Sequence, residues 1–324
     1  MAASSRLHHV TNGDSLSALI TAAAVPGSIS AWCDILHEGP VPAGLSHEQL
    51  CSSRARYLAD AGYGAYEDLS TSFLEWQGAV DKPTYDELVL WFEHDLFDQL
   101  NLIQLLDRLA QAPRRARLTL VSIDSYPGYP NFHGMGELRP ADIASLFAAR
   151  QEVTEAQLEL GTRAYAAFRA PTPDALEALL QTDTSALPFL APALARHLAE
   201  FPAEGSGLSR TEERILEAVE HAPADIVDVF RQVHAGERYF FIGDSSFWTI
   251  VVRLATATPA LVDVEIASAS SQALPNGTIR ITDSGIDVLK GRADRIALCG
   301  IDRWLGGVHL TDEHPWKRQA AAAL

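Results

Sequence analysis

The sequence predicts an α/β protein with more than one domain. Over about the first 125 residues, short β-type runs alternate with helical patterns, as is typical of a parallel sheet whose strands are joined by helices. The chain has 324 residues, which is more than a single hydrophobic core usually organises. The stretch Pro202–Gly207 consists of small and turn-forming residues that interrupt both periodicities, so we expect a linker there.

Four segments have the composition of strands that are buried on both faces. Such strands read as near-continuous apolar runs, as LVLWF does at residues 88–92. The predicted strands are Leu7–Thr11, Ile29–Leu36, Glu87–Glu93 and Arg117–Ile123. The clearest helix, Asp95–Leu109, follows the third strand, because leucine and isoleucine recur there at helical spacing. We therefore expect residues 1–138 to form a domain with a Rossmann-like parallel sheet.

Two further regions follow. Residues 139–206 are rich in alanine and leucine and are broken by prolines, which predicts a helical connector. Residues 207–324 open with Ser209 and Glu212 at capping-box spacing and continue as three helices, two strands and a helix. This order resembles a winged helix, so we expect a winged-helix-like C-terminal domain. The glycines and Trp304 of residues 302–309 predict a docking tail.

Composition and charge exclude several classes of protein. The 25 Lys and Arg residues against 42 Asp and Glu give a formal charge of −17, so the field repels phosphate backbones and anionic membranes. No window approaches about 18 uninterrupted apolar residues, and the start of the chain lacks the pattern of a secretion signal. Cys33, Cys51 and Cys299 show no CxxC spacing. We expect a cytoplasmic protein without membrane or general nucleic-acid partners.

The predicted third helix of the C-terminal domain, Ser245–Ala255, has few basic residues. In DNA-binding relatives this helix enters the major groove, which needs several phosphate contacts. Here Arg253 is its only base, and Asp244 precedes it. We therefore predict a module for packing or for dimerisation, which leaves a homodimer open. The alternative is a ligand-responsive regulator whose winged module engages DNA or a protein partner.

A carboxylate follows every predicted strand of the first domain. In open parallel sheets, ligands lie outside the carboxyl ends of the strands, because loops and helix N-termini converge there. The side chains expected at this edge are Asp14 after the first strand, Asp34 and Glu38 after the second, Glu93, His94 and Asp95 after the third, and Asp124 after the fourth. We expect them to line one cleft that takes a small-molecule ligand.

Two chemistries suit such a cleft. Asp34, Glu93, His94 and Asp95 are the predicted catalytic residues, in unlike environments that separate an acid from a base. Alternatively, a divalent metal ion is held by oxygen ligands. The candidate metal ligands are Asp14, Asp34, Glu93 and Asp95. A structural reading also stays open, because Asp95 and Asp98 stand where a helix N-cap and its N3 residue would be.

Further residues are predicted to contact the ligand. Asn12, Gly13, Asp14 and Ser15 form a strand-to-helix turn whose amides can approach a polar or anionic group. Arg54 and Arg56 are positioned to neutralise an anionic substrate, or else they belong to a solvated helix face. The complete set of predicted ligand-binding residues is Asn12, Gly13, Asp14, Ser15, Glu38, Arg54, Arg56 and Asp124. The aromatic, turn-rich residues 126–136 are long enough to wall a pocket.

Gly13–Leu16 spells GDSL, the signature of a hydrolase family in which the serine after the first strand is the nucleophile. That family places an Asp-x-x-His pair near the end of the domain. The only such pair here is Asp34 with His37, directly after the second strand. Because this chain order is wrong, esterase chemistry by Ser15 is a minor alternative.

Several motifs together resemble a known bacterial family. They are His9-Val10, Asn12–Ser15, Trp32, Asp34, the turn Glu38–Pro40, and the run Trp91–Gln99 with its HDLFDQ core. In combination they look like the bacterial domain-of-unknown-function 1835 family over about the first 125 residues. The resemblance implies an α/β domain of bacterial cytoplasmic proteins and assigns no reaction.

The sequence therefore favours an enzyme, a hydrolase or a transferase, that acts on a polar, phosphorylated or nucleotide-like small molecule. The carboxylates and the histidine at the ends of the strands motivate this hypothesis.

Overall fold

A computed structural model describes residues 6–81, 85–112, 116–130, 132–235, 237, 242–268 and 274–319. The chain forms two compact units. The first contains the residues up to Leu194 together with Gly306–Val308, and the second contains Ala195–Leu305 and the residues from His309 onwards. The predicted linker Pro202–Gly207 therefore lies inside the second unit. Hydrogen bonds fix it there, since Arg318 N donates to Pro202 O and Arg295 N donates to Ser206 O.

The first unit contains six strands within the described residues. They are β1 (Leu7–Thr11), β2 (Ser28–Ala31), β3 (Gly39–Pro40), β4 (Glu87–Trp91), β5 (Arg117–Val121) and β6 (Gln151–Glu152). The helices that begin in this unit are α1 (Asp14–Ala22), α2 (His47–Asp60), α3 (Tyr66–Asp81), α4 (Leu96–Gln111), α5 (Pro140–Ala149), α6 (Glu155–Phe168), α7 (Asp174–Leu180) and α8 (Leu190–Leu198), with a 3-10 helix at Met135–Glu137.

The main sheet has the strand order β2-β1-β4-β5-β6. Its first four strands run parallel, and β6 pairs antiparallel with β5. The predicted α/β class with a parallel sheet is thus confirmed. Because the four strands run the same way, their carboxyl ends lie at one edge of the sheet, which is where the candidate site residues follow them.

The sheet is buried on both faces, as the apolar runs predicted. Leu88, Val89, Leu90 and Trp91 of β4 are fully buried. One face packs in a hydrophobic cluster that includes Leu16, Ile20, Val89, Trp91, Val121 and Ile143. On α6, Gly161 lets α4 approach closely, since a Cβ atom there would lie 2.6 Å from Leu106 Cβ.

Strand β2 ends at Ala31, five residues before the predicted end at Leu36. The reason is a side chain that replaces the neighbouring strand. Asn101 of α4 accepts a hydrogen bond from Asp34 N at 3.0 Å and donates one to Asp34 O at 2.9 Å. The backbone of Asp34 is therefore satisfied outside the sheet, and the predicted strand residues after Ala31 form a loop.

The second unit begins with helices and continues with a small antiparallel sheet. Its elements are α9 (Arg210–Ala218), β7 (Ala224–Asp225), α10 (Ile226–His234), α11 (Asp244–Thr256), β8 (Val262–Ser268), β9 (Asn276–Ile281), α12 (Asp283–Leu289), α13 (Arg295–Cys299), β10 (Asp302–Gly306) and β11 (Val308–Thr311), where Gly306 and Val308 belong to the first unit. The strand order is β7-β9-β8. The Asn276–Gly277 pair has the composition of a turn, but it begins β9, where Asn276 pairs with Ser268. Within the described ranges, no helix is long and apolar enough to cross a membrane.

Candidate functional site

Three acidic side chains of the first unit meet at the carboxyl edge of the sheet. Glu93 follows β4, Asp95 precedes α4, and Asp98 lies in the first turn of α4. We call Glu93, Asp95 and Asp98 the carboxyl cluster. Asn12, which follows β1, donates from Nδ2 to both carboxylate oxygens of Asp98 at 3.0 Å and lies 3.5 Å from Glu93 Oε1. One amide that follows β1 thus contacts two acidic groups that follow the neighbouring strand β4.

The start of α4 sets the position of Asp98. Asp95 is the N-cap, and its Oδ1 accepts a hydrogen bond from Asp98 N at 2.8 Å, as the capping interpretation predicted. The amide of Glu93 donates to Asp98 Oδ2, and the side chain of Gln99 donates to Glu93 O. The amide and the carbonyl of Glu93 in the loop between β4 and α4 are therefore both bonded to side chains of the first turn of α4.

A second loop covers Glu93. Met135 N donates to Glu93 Oε1 at 2.8 Å. Gly134 lies directly against the same carboxyl group, and a Cβ atom at that position would overlap Glu93 Oε2. Only glycine therefore leaves room for the carboxyl at this point. The stretch 126–136, which was predicted to wall a pocket, thus contributes the Met135 amide as a donor and places the Gly134 backbone against the Glu93 carboxyl group.

Burial dominates the electrostatics of the cluster. It raises the pKa of Glu93 to about 8, with the charge of Asp95 adding to the effect and the bonds from Met135 N and Asn12 opposing it. Burial likewise raises the pKa of Asp95 to about 6. The pKa of Asp98 is raised well above its ordinary value by burial and then by the charges of Asp95 and Glu93. The cluster therefore keeps a proton near neutral pH.

His94 is buried between rings and has a bonded ring nitrogen. Its side chain is 1% exposed, and Nδ1 donates to Ile123 O at 3.2 Å, which links the loop after β4 to the chain after β5. The rings of Phe132 and Phe189 lie 6.1 and 6.2 Å away, measured between ring centroids. These contacts give His94 a packing role beside the cluster.

Asp34 is not part of the carboxyl cluster but forms an ion pair with Arg54. Arg54 Nη2 lies 2.7 Å from Asp34 Oδ1, and Arg54 Nε donates to Asp34 Oδ2 at 3.0 Å. The same guanidinium donates to the carbonyl oxygens of Ile35 and Glu38. Arg54 is 1% exposed, and its bonds hold the loop after β2. The predicted role of Arg54 as a neutraliser of an anionic substrate has no support in this geometry.

The other predicted residues have separate surroundings. Arg56 lies over the ring of Tyr66 on the exposed face of α2, 4.4 Å from the ring centroid, which fits the solvated-face interpretation. Glu38 accepts from Tyr63 Oη at 3.2 Å, and Asp124 accepts from Ser125 Oγ at 3.1 Å. Asp14 and Ser15 are exposed at the start of α1, where Gly13 is the N-cap. A Cβ atom at Gly136 would lie 3.7 Å from Ser15 Cβ, so Ser15 borders the covering loop.

The pKa of the Cys33 thiol responds to carboxylates that follow several strands. Burial raises the pKa of its thiol to about 12, and the charges of Asp34, Asp14 and Asp98 raise it further. Three carboxylates that follow β1, β2 and β4 therefore act on one thiol. This agrees with the predicted shared edge, even though Asp34 is engaged elsewhere.

The predicted divalent-metal site is not formed by the side chains that the structure describes. In these ranges no group of three or more His, Cys, Asp and Glu residues has the geometry to hold a metal ion. Of the four predicted ligands, Asp34 is bound to Arg54, Asp14 is exposed on α1, and Asp95 caps α4. The carboxyl oxygens of Glu93 and Asp95 therefore do not converge with Asp14 and Asp34 on one point.

The serine-hydrolase alternative requires a histidine base beside Ser15 and an aspartate that orients this base. In the part of the chain that the structure describes, Ser15 Oγ forms no hydrogen bond with a histidine. The aspartate of the predicted Asp-x-x-His pair, Asp34, is bound to Arg54. Without a base within hydrogen-bond reach, Ser15 is not activated as a nucleophile.

Sequence reasoning missed Asp98 as a site residue, as well as the Gly134–Met135 backbone. Asp98 was interpreted only as an N3 residue of the helix. The sequence does contain a signal, because Asp98 and Asn101 are polar positions on a helix that is leucine-rich around its whole circumference. The structure shows that both side chains are fully buried, which is unusual for these residue types. Nothing in the spacing of the chain identifies the Met135 amide as a partner of Glu93.

Comparison of the chain with protein-family models gives no match, and comparison with curated proteins gives none either. The resemblance of the first 125 residues to the domain-of-unknown-function 1835 family therefore stays a prediction.

The Asp34–Arg54 pair yields a first prediction. We expect Arg54→Met to lower the free energy of unfolding by about 3–5 kcal/mol, because it leaves the Asp34 carboxylate buried without a partner. Arg6→Gln is the matched control, since Arg6 forms an exposed pair with Asp86 and its loss should cost less than about 1 kcal/mol. Urea unfolding followed by circular dichroism measures both. Equal, small losses would show that the buried pair is dispensable for the fold.

The raised pKa of Glu93 yields a second prediction. A carboxyl whose folded pKa of about 8 exceeds the ordinary 4.5 stabilises the fold fully below pH 4.5 and loses this contribution as the pH rises through 8. Glu93→Gln should therefore be close in stability to the natural protein at pH 5 and exceed its stability by an amount on the order of 4 kcal/mol at pH 8.

Thermal unfolding at both pH values measures this difference. Glu159→Gln on the exposed face of α6 serves as the control and should shift stability at neither pH. A Glu93→Gln variant that is less stable at pH 8 than at pH 5, relative to the natural protein, contradicts the assignment of a retained proton.

Proposed function

We propose that the protein is a bacterial cytoplasmic enzyme, a hydrolase or a transferase, that uses the carboxyl cluster as general acid and base on a polar small molecule. The observation that carries the proposal is the placement of Glu93. It stands at the carboxyl edge of a parallel sheet, held by Asn12 and Met135 N, with a pKa of about 8. A group whose pKa lies near the working pH both gives and takes protons efficiently.

The hydrogen bonds assign different roles to the two central carboxyls. Both oxygens of Asp98 accept bonds, from Asn12 Nδ2 and from Glu93 N, and such donors favour the ionised form. Glu93 Oε1 accepts from Met135 N, whereas Oε2 receives no donor from any described residue. The retained proton is therefore assigned in this proposal to Glu93 Oε2. Glu93 is the proposed acid and base, while Asp98 and Asn12 are positioning residues.

The charges around the cluster narrow the class of substrate. Of the two predicted cations, Arg54 is paired with Asp34, and Arg56 lies over the ring of Tyr66. A phosphate placed at the cluster would face carboxyl groups without a compensating guanidinium. Within the predicted range of polar, phosphorylated or nucleotide-like molecules, the geometry favours a neutral or cationic polar group at the reacting position.

The free thiols support the proposed location. Cys33, Cys51 and Cys299 form no disulfide, which suits a reducing compartment.

A third prediction tests the proposal directly. The full chain is screened by thermal shift against neutral, cationic and phosphorylated polar metabolites, and compounds that stabilise it are followed for turnover by mass spectrometry. We expect Glu93→Gln to bind such a compound but to lose turnover by about 100-fold or more, because the proton donor is gone. Glu159→Gln should keep the natural rate. Turnover by Glu93→Gln at the natural rate removes the acid and base role.

The element order of the second unit favours a second candidate from another class. Helices α9, α10 and α11 followed by the antiparallel pair β8 and β9 match the order expected for a winged helix. We propose, as the alternative, a ligand-responsive regulator in which this unit engages a partner. The only base of α11, Arg253, is held 3.6 Å from buried Glu212, so a protein partner suits this helix better than DNA. Salt-dependent binding of the full chain to duplex DNA would reverse that preference.

A further inference from the structure

The second unit contains a polar cavity of about 390 Å³ that is separate from the carboxyl cluster. This volume lies in the range of small-molecule sites. The residues that line it all belong to the second unit, and they include Glu212, Arg253, Arg295, Cys299, Asp302, Arg303 and Asp312. Three arginines around one cavity are unusual in a chain with a formal charge of −17.

The guanidinium groups are held near one buried carboxylate without bonding it closely. Arg253 Nε and Arg295 Nε each lie 3.6 Å from Glu212 Oε1, which is beyond a normal hydrogen bond. Glu212 Oε2 is occupied by Ser209 N at 2.9 Å. Glu212 Oε1 thus lies near two guanidinium groups without a close hydrogen bond to either Nε atom.

Arg295 keeps donor capacity in a buried position. Its side chain is 7% exposed, and Nη1 donates to Gly300 O at 3.1 Å. Its Nε atom has no hydrogen-bond acceptor among the residues that the structure describes. A buried charged donor without an acceptor carries a desolvation cost, which a bound oxyanion would remove.

The acidic groups near the cavity differ in exposure. Arg303 Nη2 lies 3.3 Å from Glu200 Oε2, but Glu200 already pairs with Arg196 at 2.7 Å. Glu200 and Glu212 are thus two buried carboxylates beside the three arginines of the lining. The lining carboxylates Asp302 and Asp312 are exposed, and Asp302 pairs with His309.

We propose that this cavity binds a small molecule that carries a phosphate group, with Arg253, Arg295 and Arg303 as its recognition groups. Planar guanidinium groups match the geometry of phosphate oxygens, and several of them around one site favour a dianion over a single carboxylate. This site would bind an anionic ligand, whereas the carboxyl cluster favours a neutral or cationic group. Because it lies wholly in the second unit, the proposal holds whether or not the first unit is an enzyme.

A fourth prediction tests this site by isothermal titration of the full chain with inorganic phosphate and with citrate at constant ionic strength. We expect saturable binding of phosphate at one site. Arg253→Gln should weaken it about tenfold, because a charge-assisted hydrogen bond is lost. Arg280→Gln is the matched control, since Arg280 forms an exposed pair with Glu265 outside the cavity and should leave the affinity unchanged.

Arg295→Lys supplies a second variant that keeps the charge and loses the planar fork. Its thermal unfolding is measured first, because Arg295 is buried beside Glu212. A folded Arg295→Lys protein with weaker phosphate binding supports the proposal. Binding of citrate in preference to phosphate, equal affinities for Arg253→Gln and Arg280→Gln, or no saturable phosphate binding tighter than about 1 mM would each overturn it.

Discussion

The burial of three carboxyl groups after one parallel strand, β4, is the constraint on which this structure depends. Burying an unpaired charge is costly, so the site is organised around donors that offset that cost. Asn12 serves Asp98 and Glu93, the Met135 amide serves Glu93, and the amide of Asp98 serves Asp95. These donors do not suffice to ionise every group. The proton that remains is what makes the cluster chemically useful near neutral pH.

The second unit also buries carboxyl groups, but there arginines keep them ionised. Its buried carboxylate Glu212 stays ionised, because nearby arginines overcome the effect of burial and lower its pKa. Glu200 behaves likewise beside Arg196 and Arg303, and its pKa is also lowered. The carboxyl cluster of the first unit is thus buried among hydrogen-bond donors, whereas Glu200 and Glu212 of the second unit are buried beside arginines. The two environments favour ligands of different charge.

Much of the fold could be predicted, because the signals were local. Strand β1 begins and ends where the sequence predicts, at Leu7 and Thr11. The end of β2 could not be predicted, because it depends on the side chain of Asn101, which lies 67 residues from Asp34 along the chain. The turn-like composition of Pro202–Gly207 was also misleading, because long-range backbone bonds hold that stretch inside a unit.

The site could be predicted only in part, for the same physical reason. Topology brings Asn12, Glu93 and Asp95 to one edge, and their order along the chain is enough to show it. The pairing of Asp34 with Arg54 and the cover over Glu93 depend on tertiary contacts that no spacing encodes. As a result, the sequence analysis placed Asp34 with Glu93 and Asp95 in one predicted site and did not include Asp98.

The central claim is that Glu93 holds a proton when the surrounding solution is neutral. Infrared difference spectroscopy across a pH titration measures this most directly, because a protonated carboxyl group has its own carbonyl-stretching band. The account predicts such a band at pH 7, its loss as the pH passes about 8, and its absence from the Glu93→Gln variant. A natural protein without the band at pH 7, or a band that persists in Glu93→Gln, would contradict the account.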